Sequence, residues 1–295
     1  MSNIHPMAFV DPTAQIGRDV VIAPFCHVGV GVTLGDGCRL YPHVTLTGPT
    51  TFGKGNVFFP NCAIGTDPQD LKFKGGPTQL LAGDDNIFRE SVTVHRGTET
   101  DRRSAGVTRI GNNNLFMVGV HVAHDSDIGD HVILANNVLV AGHVRIENCV
   151  NVGGAAGIHN FVTIGRNAFI GGMTRVTHDV PPYVKVLGYD QNVRGLNTEG
   201  LRRWKFSPES IEALKTAFRL IYPRAGGRAA SRTAEGIRDI RTNGLNQDEH
   251  VRYLADFLQR KLDIGVFGRA REAARTDVPA DRGKFYHGNK QPEAS

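Results

Sequence analysis

An apolar residue occupies every sixth position from Ile4 to Ile64, through Val10, Ile16, Ile22, Val28, Leu34, Leu40, Leu46, Phe52 and Phe58. A second run goes from Ile110 to Val176 through Phe116, Val122, Ile128, Leu134, Val140, Ile146, Val152, Ile158, Ile164 and Ile170, and Ala82, Phe88 and Val94 keep the period between the two. A helix returns apolar residues every three to four positions and a half-buried strand every two. A fixed hexad is instead the pattern of a solenoid in which each repeat forms one flat face and three repeats close a triangular coil. Eleven, three and twelve hexads make 26. That predicts roughly nine coils and, with strands about 4.8 Å apart, a prism about 40 Å tall.

Small residues follow the ladder positions (Gly17, Ala23, Gly29, Gly35, Gly53, Gly65), as expected where the chain turns a tight corner. The period breaks near 66–80 and 98–108, which predicts two loops leaving the coil. The pattern changes again near residue 180. Ser207-Pro208-Glu209 carries the signals of a helix start, followed by the stripe Ile211, Leu214, Phe218 and Ile221. A short helix is predicted near 232–241, and Val251, Leu254, Leu258 and Leu262 mark a longer one. The expected organisation is therefore a mainly β solenoid over 1–190, a small α-helical domain over 191–267 with three helices, and a disordered tail over 268–295.

Composition refines this picture. Glycine, at 35 of 295 residues, exceeds the usual share of about 7%, as suits a molecule made of corners. Cys26, Cys38, Cys62 and Cys149 show no CxxC spacing and are predicted to be packed, reduced thiols. No apolar stretch approaches the length of a membrane span and the first ten residues lack a signal-peptide pattern, which predicts a soluble cytoplasmic protein. Residues 1–200 hold 15 Lys plus Arg against 17 Asp plus Glu, net −2, whereas 201–295 hold 19 against 12, net +7. Such a basic C-terminal part suits an acidic partner. Without a zinc-finger, helix-turn-helix or RNA-recognition pattern, nucleic acid is not expected.

Chemistry concentrates in the second run. His121, His124, His143, His159 and His178 lie in this run, and the gaps from His124 to His143, His143 to His159 and His159 to His178 are 19, 16 and 19, close to one coil of 18, so the rings are expected to line neighbouring rungs along one edge. A histidine takes a proton from a hydroxyl better when a carboxylate orients it, and His124 is followed directly by Asp125. Gly142 precedes His143, where its amide could donate to a developing oxyanion.

The motifs Pro24-Phe25-Cys26, Asp70-Leu71-Lys72, Glu90-Ser91-Val92-Thr93-Val94-His95-Arg96-Gly97, Val122-Ala123-His124-Asp125, Ile133-Leu134-Ala135-Asn136-Asn137 and Asp179-Val180-Pro181-Pro182-Tyr183, in this order, resemble the UDP-N-acetylglucosamine O-acyltransferases of lipid A synthesis, within the hexapeptide-repeat acyltransferases. The resemblance spans about Phe9 to Ile221. It implies a left-handed parallel β-helix, a homotrimer, and transfer of an (R)-3-hydroxyacyl chain from the phosphopantetheine of acyl carrier protein to the 3-hydroxyl of UDP-N-acetylglucosamine, with no metal or other cofactor. By position it makes His124 the general base, Asp125 its orienting partner, Gly142 the oxyanion donor and His143 a further active-site histidine. Asp70, Leu71, Lys72, His121, His159 and Asn160 match sugar-nucleotide positions. Asn197, Glu199 and Arg203 match a nucleotide-contacting segment, and Gly172 a position that limits acyl length.

Two departures stand out, Trp204 for an arginine and Asn160 for a glutamine, and Asp190 replaces a histidine that bounds the acyl groove in relatives. Three other readings compete: the same chemistry on a 3-amino sugar nucleotide, a zinc hydratase built on the same prism with His121, His124 and His143 as ligands, and a sugar-nucleotide binder without catalysis.

Overall fold

A computed structural model describes residues 2–71, 73–99, 104–222, 229–265, 268 and 271. The predicted tail, Lys72 and the Gly226-Gly227 break lie wholly or almost wholly outside these residues. Short strands, each ending on or just past a ladder residue, run from Asn3–Ile4 to Arg175–Val176 and deal themselves in rotation onto three parallel sheets. The first face begins at Asn3–Ile4, the second at Phe9–Val10 and the third at Gln15–Ile16. Neighbouring strands on one face pair in register one coil apart, as in Ile22↔Leu40 and Val122↔Val140.

From Ile22 onward the ladder residues are buried and fill the prism, whereas Ile4 at its open end is exposed. Phe58, Phe88 and Phe116 form one column on the first face, with ring centroids 5.1 and 4.9 Å apart and planes within 3°. Phe58 and Phe88 pair although more chain than one coil needs separates them, so the surplus between Thr66 and Gln79 bulges out without disturbing the register. The same holds between His95 and Val107. Both excursions leave from the corner between the second and third faces. His124 and Asp125 lie at that same corner.

Corners explain the glycines and the unusual backbone. A Cβ on Gly35 would lie 2.4 Å from the Gly53 carbonyl oxygen of the next coil, so only glycine permits that stacking. Many corners also hold a non-glycine residue in the left-handed conformation, repeating once per coil: Phe25, His43 and Asn61 on one edge, Asp125, His143 and Phe161 on another. Each costs roughly 1–2 kcal/mol. Cooperative stacking of coils above and below holds them there.

The last parallel strand of the first face, Val184–Leu187, is followed by an antiparallel one, Asn192–Leu196. Among the described residues four α-helices follow: α1 (Thr198–Arg203), α2 (Pro208–Ile221), α3 (Ala229–Thr242) and α4 (Glu249–Ile264). α1 is one more than the sequence predicted. It is only six residues long, too short for a periodic apolar stripe, and it is set by the Asn197 cap, whose Oδ1 accepts the Gly200 N–H. Ser207 caps α2 as expected, accepting from Ser210 N–H at 3.1 Å. Ile211, Leu214 and Ile221 of α2 join Ile240, Leu254 and Leu258 in a second apolar core, while Phe218 packs on the prism. The four cysteines are free thiols.

Candidate active site

The site is assembled from one corner and two loops. After the strand His121–Val122 the chain turns from the second face to the third through Ala123, His124, Asp125 and Ser126. The excursion one coil below brings Thr98 and Ser104 to this corner, and the excursion two coils below brings Asp70. Asp125 is 6% exposed and accepts four hydrogen bonds: from Thr98 N–H (2.9 Å), Thr98 Oγ1 (2.7 Å), Ser104 Oγ (2.6 Å) and His124 Nδ1 (2.8 Å). Burial pushes its carboxyl up, but the bonds from His124, Ser104 and Thr98 together outweigh burial and hold it below the usual carboxylate range.

This settles the tautomer of His124. An ionised Asp125 has no proton to give, so the imidazole must donate through Nδ1, and in its neutral form the lone pair is on Nε2. Nε2 lies 3.7 Å from Asp70 Oδ2. Gly142, one coil above His124, is needed for the ring to fit, because a Cβ there would fall 2.5 Å from His124 Cε1. His143 meets the His124 ring edge-on at 5.0 Å, approaches Asp125 Oδ2 at 3.7 Å through Nδ1, and stacks on Phe161 at 4.5 Å with the planes 3° apart.

The coil therefore does not stack the five histidines in one column, as their intervals suggested. Intervals slightly longer or shorter than a full coil shift each ring to a different place on the turn. His121 belongs to the strand column His121, Leu139, Gly157, Arg175. Its Nδ1 bonds Thr93 Oγ1 at 2.8 Å, and its ring meets His95 at 4.9 Å. Burial, with His124 nearby, pushes its pKa down, and burial with His121 and His124 lowers His95 to about 4. His159 accepts from Arg175 Nε at 3.3 Å, Asn160 is half-buried beside it, and Leu71 is exposed next to Asp70. Lys72 lies outside the described residues.

Three donors, from Asp70, His124 and His143, fall within 4.8 Å of one another and could hold a metal ion. This is not the trio His121, His124 and His143 that a zinc hydratase would use.

The remaining candidates lie elsewhere on the same chain. Asn197, Glu199 and Arg203 line a cleft of about 550 Å³ on the first face with His131, Phe169, Lys185 and Trp204. Asn197 Nδ2 also donates to the Asn167 carbonyl at 2.9 Å, so the residue anchors α1 as well as lining the cleft. Trp204 rests on His131, ring to ring at 5.2 Å. Gly172 is exposed at the corner between the first and second faces, above Gly154. Within one chain, neither group reaches the His124 corner.

Sequence reasoning missed Thr98, Ser104, Thr108, whose Oγ1 accepts the Asp125 N–H, and Phe161. The signal for the first two was available in principle: hydroxyl residues in the loop that leaves the coil directly below His124.

A prism of stacked hexads places the chain in the hexapeptide-repeat class. Residues 13–48 and 108–142 match the family of bacterial transferase hexapeptide repeats, and residues 179–266 match domain 2 of UDP-N-acetylglucosamine O-acyltransferase. Over 224 residues the chain is 51% identical to an acyl-[acyl-carrier-protein]–UDP-N-acetylglucosamine O-acyltransferase of Saccharophagus degradans, covering 76% of this chain and 86% of the relative. A protein of the same name from Syntrophobacter fumaroxidans is 48% identical over 220 residues, 74% of this chain and 84% of the relative. The structure resembles LpxA from Acinetobacter baumannii with a TM-score of 0.81 at 41% identity, over 87% of this chain and 96% of that one. The chain belongs to the UDP-N-acetylglucosamine O-acyltransferase family, and its prism is a left-handed parallel β-helix with a C-terminal helical part.

Proposed function

We propose that this protein is an acyl-[acyl-carrier-protein]–UDP-N-acetylglucosamine O-acyltransferase, which moves an (R)-3-hydroxyacyl chain from acyl carrier protein to the 3-hydroxyl of UDP-N-acetylglucosamine in the first step of lipid A biosynthesis. The observation that carries this reading is the His124–Asp125 pair: Nδ1 is committed to the carboxylate and Nε2 is left to accept a proton. His124 takes the proton of the sugar hydroxyl as its oxygen attacks the thioester carbonyl. The Gly142 N–H faces the resulting oxyanion, and collapse of the adduct expels the thiolate, which recovers the proton from His124. Asp70 Oδ2, 3.7 Å from Nε2, lies beside the ring nitrogen that receives the proton. Proton transfer and oxyanion stabilisation complete the reaction with protein groups, so no metal is required.

Asp70, Leu71, His121, His159 and Asn160 hold the acceptor at this corner, with His143 assisting, and Lys72 is a further substrate contact. Asn197, Glu199 and Arg203 contribute from another face, which a homotrimer with sites between adjacent subunits brings to the neighbour's corner. Arg203 offers a planar fork for phosphate oxygens. Gly172, three coils or about 14 Å above the base, limits how far the acyl chain extends. The enzyme works in the cytoplasm, where it meets both substrates in solution.

The decisive experiment mixes the protein and His124→Ala with UDP-N-acetylglucosamine and (R)-3-hydroxyacyl carrier proteins of several lengths, following acylated sugar nucleotide by mass. Product from the wild type and a loss of roughly a hundredfold or more in the variant support the reading. Product from a 3-amino sugar nucleotide alone would replace O- by N-acylation. Neither product would favour a binder, and one bound zinc per site would replace the metal-free mechanism.

A further inference from the structure

We propose that Arg271 is a positioning residue for the catalytic corner, contributed by chain that lies beyond the stretch matched by the family, which ends at residue 266. The proposal rests on the reading of His124 and His143 given above. Arg271 Nη1 donates to the Phe161 carbonyl at 2.8 Å and to Asp179 Oδ1 at 3.3 Å, and Nη2 pairs with Asp179 Oδ2. Asp179 is 4% exposed and is tied in twice more: Oδ1 accepts the Thr163 N–H at 2.8 Å, and its carbonyl accepts from Lys261 Nζ of α4 at 3.2 Å. Gly268 presses so close to the prism that a Cβ there would fall 2.3 Å from the Thr177 carbonyl oxygen. At Gly268 and Arg271, the chain after α4 lies against the corner above Phe161.

Phe161 needs such support. It occupies the left-handed region at φ +65°, which a bulky side chain does not favour alone. Its N–H donates to the Gly142 carbonyl at 3.3 Å, and its ring covers one face of His143. The guanidinium, held rigidly by a buried carboxylate, thus fixes the peptide whose ring sets the tilt of His143 beside Asp125 and His124. Arg271 also lines the cleft of about 330 Å³ that opens onto Asp125 and His143. Its hydrogen bonds to Phe161 and Asp179 give it a route to the base through the Phe161 ring.

The test uses the full chain and four variants: Arg271→Gln, Arg271→Lys, Phe161→Leu, and Arg271→Gln combined with Phe161→Leu. Arg271→Gln is expected to lower kcat about 5- to 30-fold, since small misplacements of catalytic groups cost up to about a hundredfold, with KM for UDP-N-acetylglucosamine changed less than about twofold. Arg271→Lys, with a single ammonium in place of the fork, falls between. The double variant is no worse than the poorer single one, because both changes break the same chain of contacts. A kcat within about twofold of wild type for Arg271→Gln, or additive losses in the double variant, would overturn the proposal.

Two safeguards separate the outcomes. Phe161→Leu leaves the Arg271–Asp179 pair intact, so it reports on the stack even if Arg271→Gln folds poorly. The ring resonances of His143 in a proton–carbon NMR spectrum should move in Arg271→Gln whatever the substrate proves to be, and unmoved resonances refute the proposal without bearing on the acyl transfer itself.

Discussion

Two edges of the prism share one backbone and one ring stack and differ in what surrounds them. His43, between the first and second faces, and His143, between the second and third, both hold left-handed corners, with φ of 63° and 61°. Both stack on a phenylalanine one coil away, Phe25 at 5.0 Å and Phe161 at 4.5 Å. His43 is nevertheless exposed, with the ring stack as its visible anchor, whereas His143 sits against a buried carboxylate and a second imidazole. The difference comes from the loops. They leave the coil at one edge, and the hydroxyls and amide they carry make Asp125 a buried, ionised acceptor. The hexad supplies position, and the interruptions of the hexad supply chemistry.

The largest effect should separate the two edges outright. His124→Ala is expected to lower kcat/KM by about 10²–10⁴, while His43→Ala stays within about twofold, measured in the same coupled assay. Next comes the fit of the proposed base. Gly142→Ala pushes a methyl into the His124 ring and should cost about a hundredfold in kcat, whereas Gly157→Ala, where no described atom lies within 4 Å of the added Cβ, should be near neutral.

A smaller effect tests the loop. Ser104→Ala removes one hydrogen bond to the Asp125 carboxylate and should cost about 1.5–3 kcal/mol of stability by denaturant titration. Because the native carboxyl is depressed, its contribution is present above the unfolded value and lost as pH falls through the folded one. In Ser104→Ala that loss should be smaller and be complete at a higher pH.

The last prediction concerns His95, lowered to about 4 from the ordinary value of 6.5 by burial, His121 and His124. Between those values the unfolded chain binds a proton that the native state refuses, so stability falls as pH drops through this window and is intact above it. His95→Gln should flatten the slope, a difference on the order of 3 kcal/mol near pH 4.

Much of the fold was legible because a hexad repeats its signal 26 times. The strands of the prism end on or just past the apolar residues that predicted its faces, and Ser207 and the Val251 stripe marked their helices by local rules of capping and periodicity. α1 was not legible, because a six-residue helix is set by one cap and not by a pattern. Within the candidate site, the His124–Asp125 pair could be read because its members are adjacent in the chain. Thr98 and Ser104 left only a general signal, hydroxyls in the loop below His124, since no period describes the path by which that loop brings them to Asp125. The histidine intervals misled for a related reason: a small offset from a full coil turns a ring onto a different part of the corner.

The hairpin at the end of the first face has a bearing on assembly. A stack of parallel strands is open at both ends, and each open end is a template on which another copy could build, the geometry that lets β-structure grow into fibres. Here the final strand of the longest sheet, Asn192–Leu196, runs the other way. A second molecule arriving with its Asn3–Ile4 strand would meet a reversed neighbour at that sheet and could not continue the parallel ladder. The reversal gives the solenoid a built-in length limit, set within its own sequence.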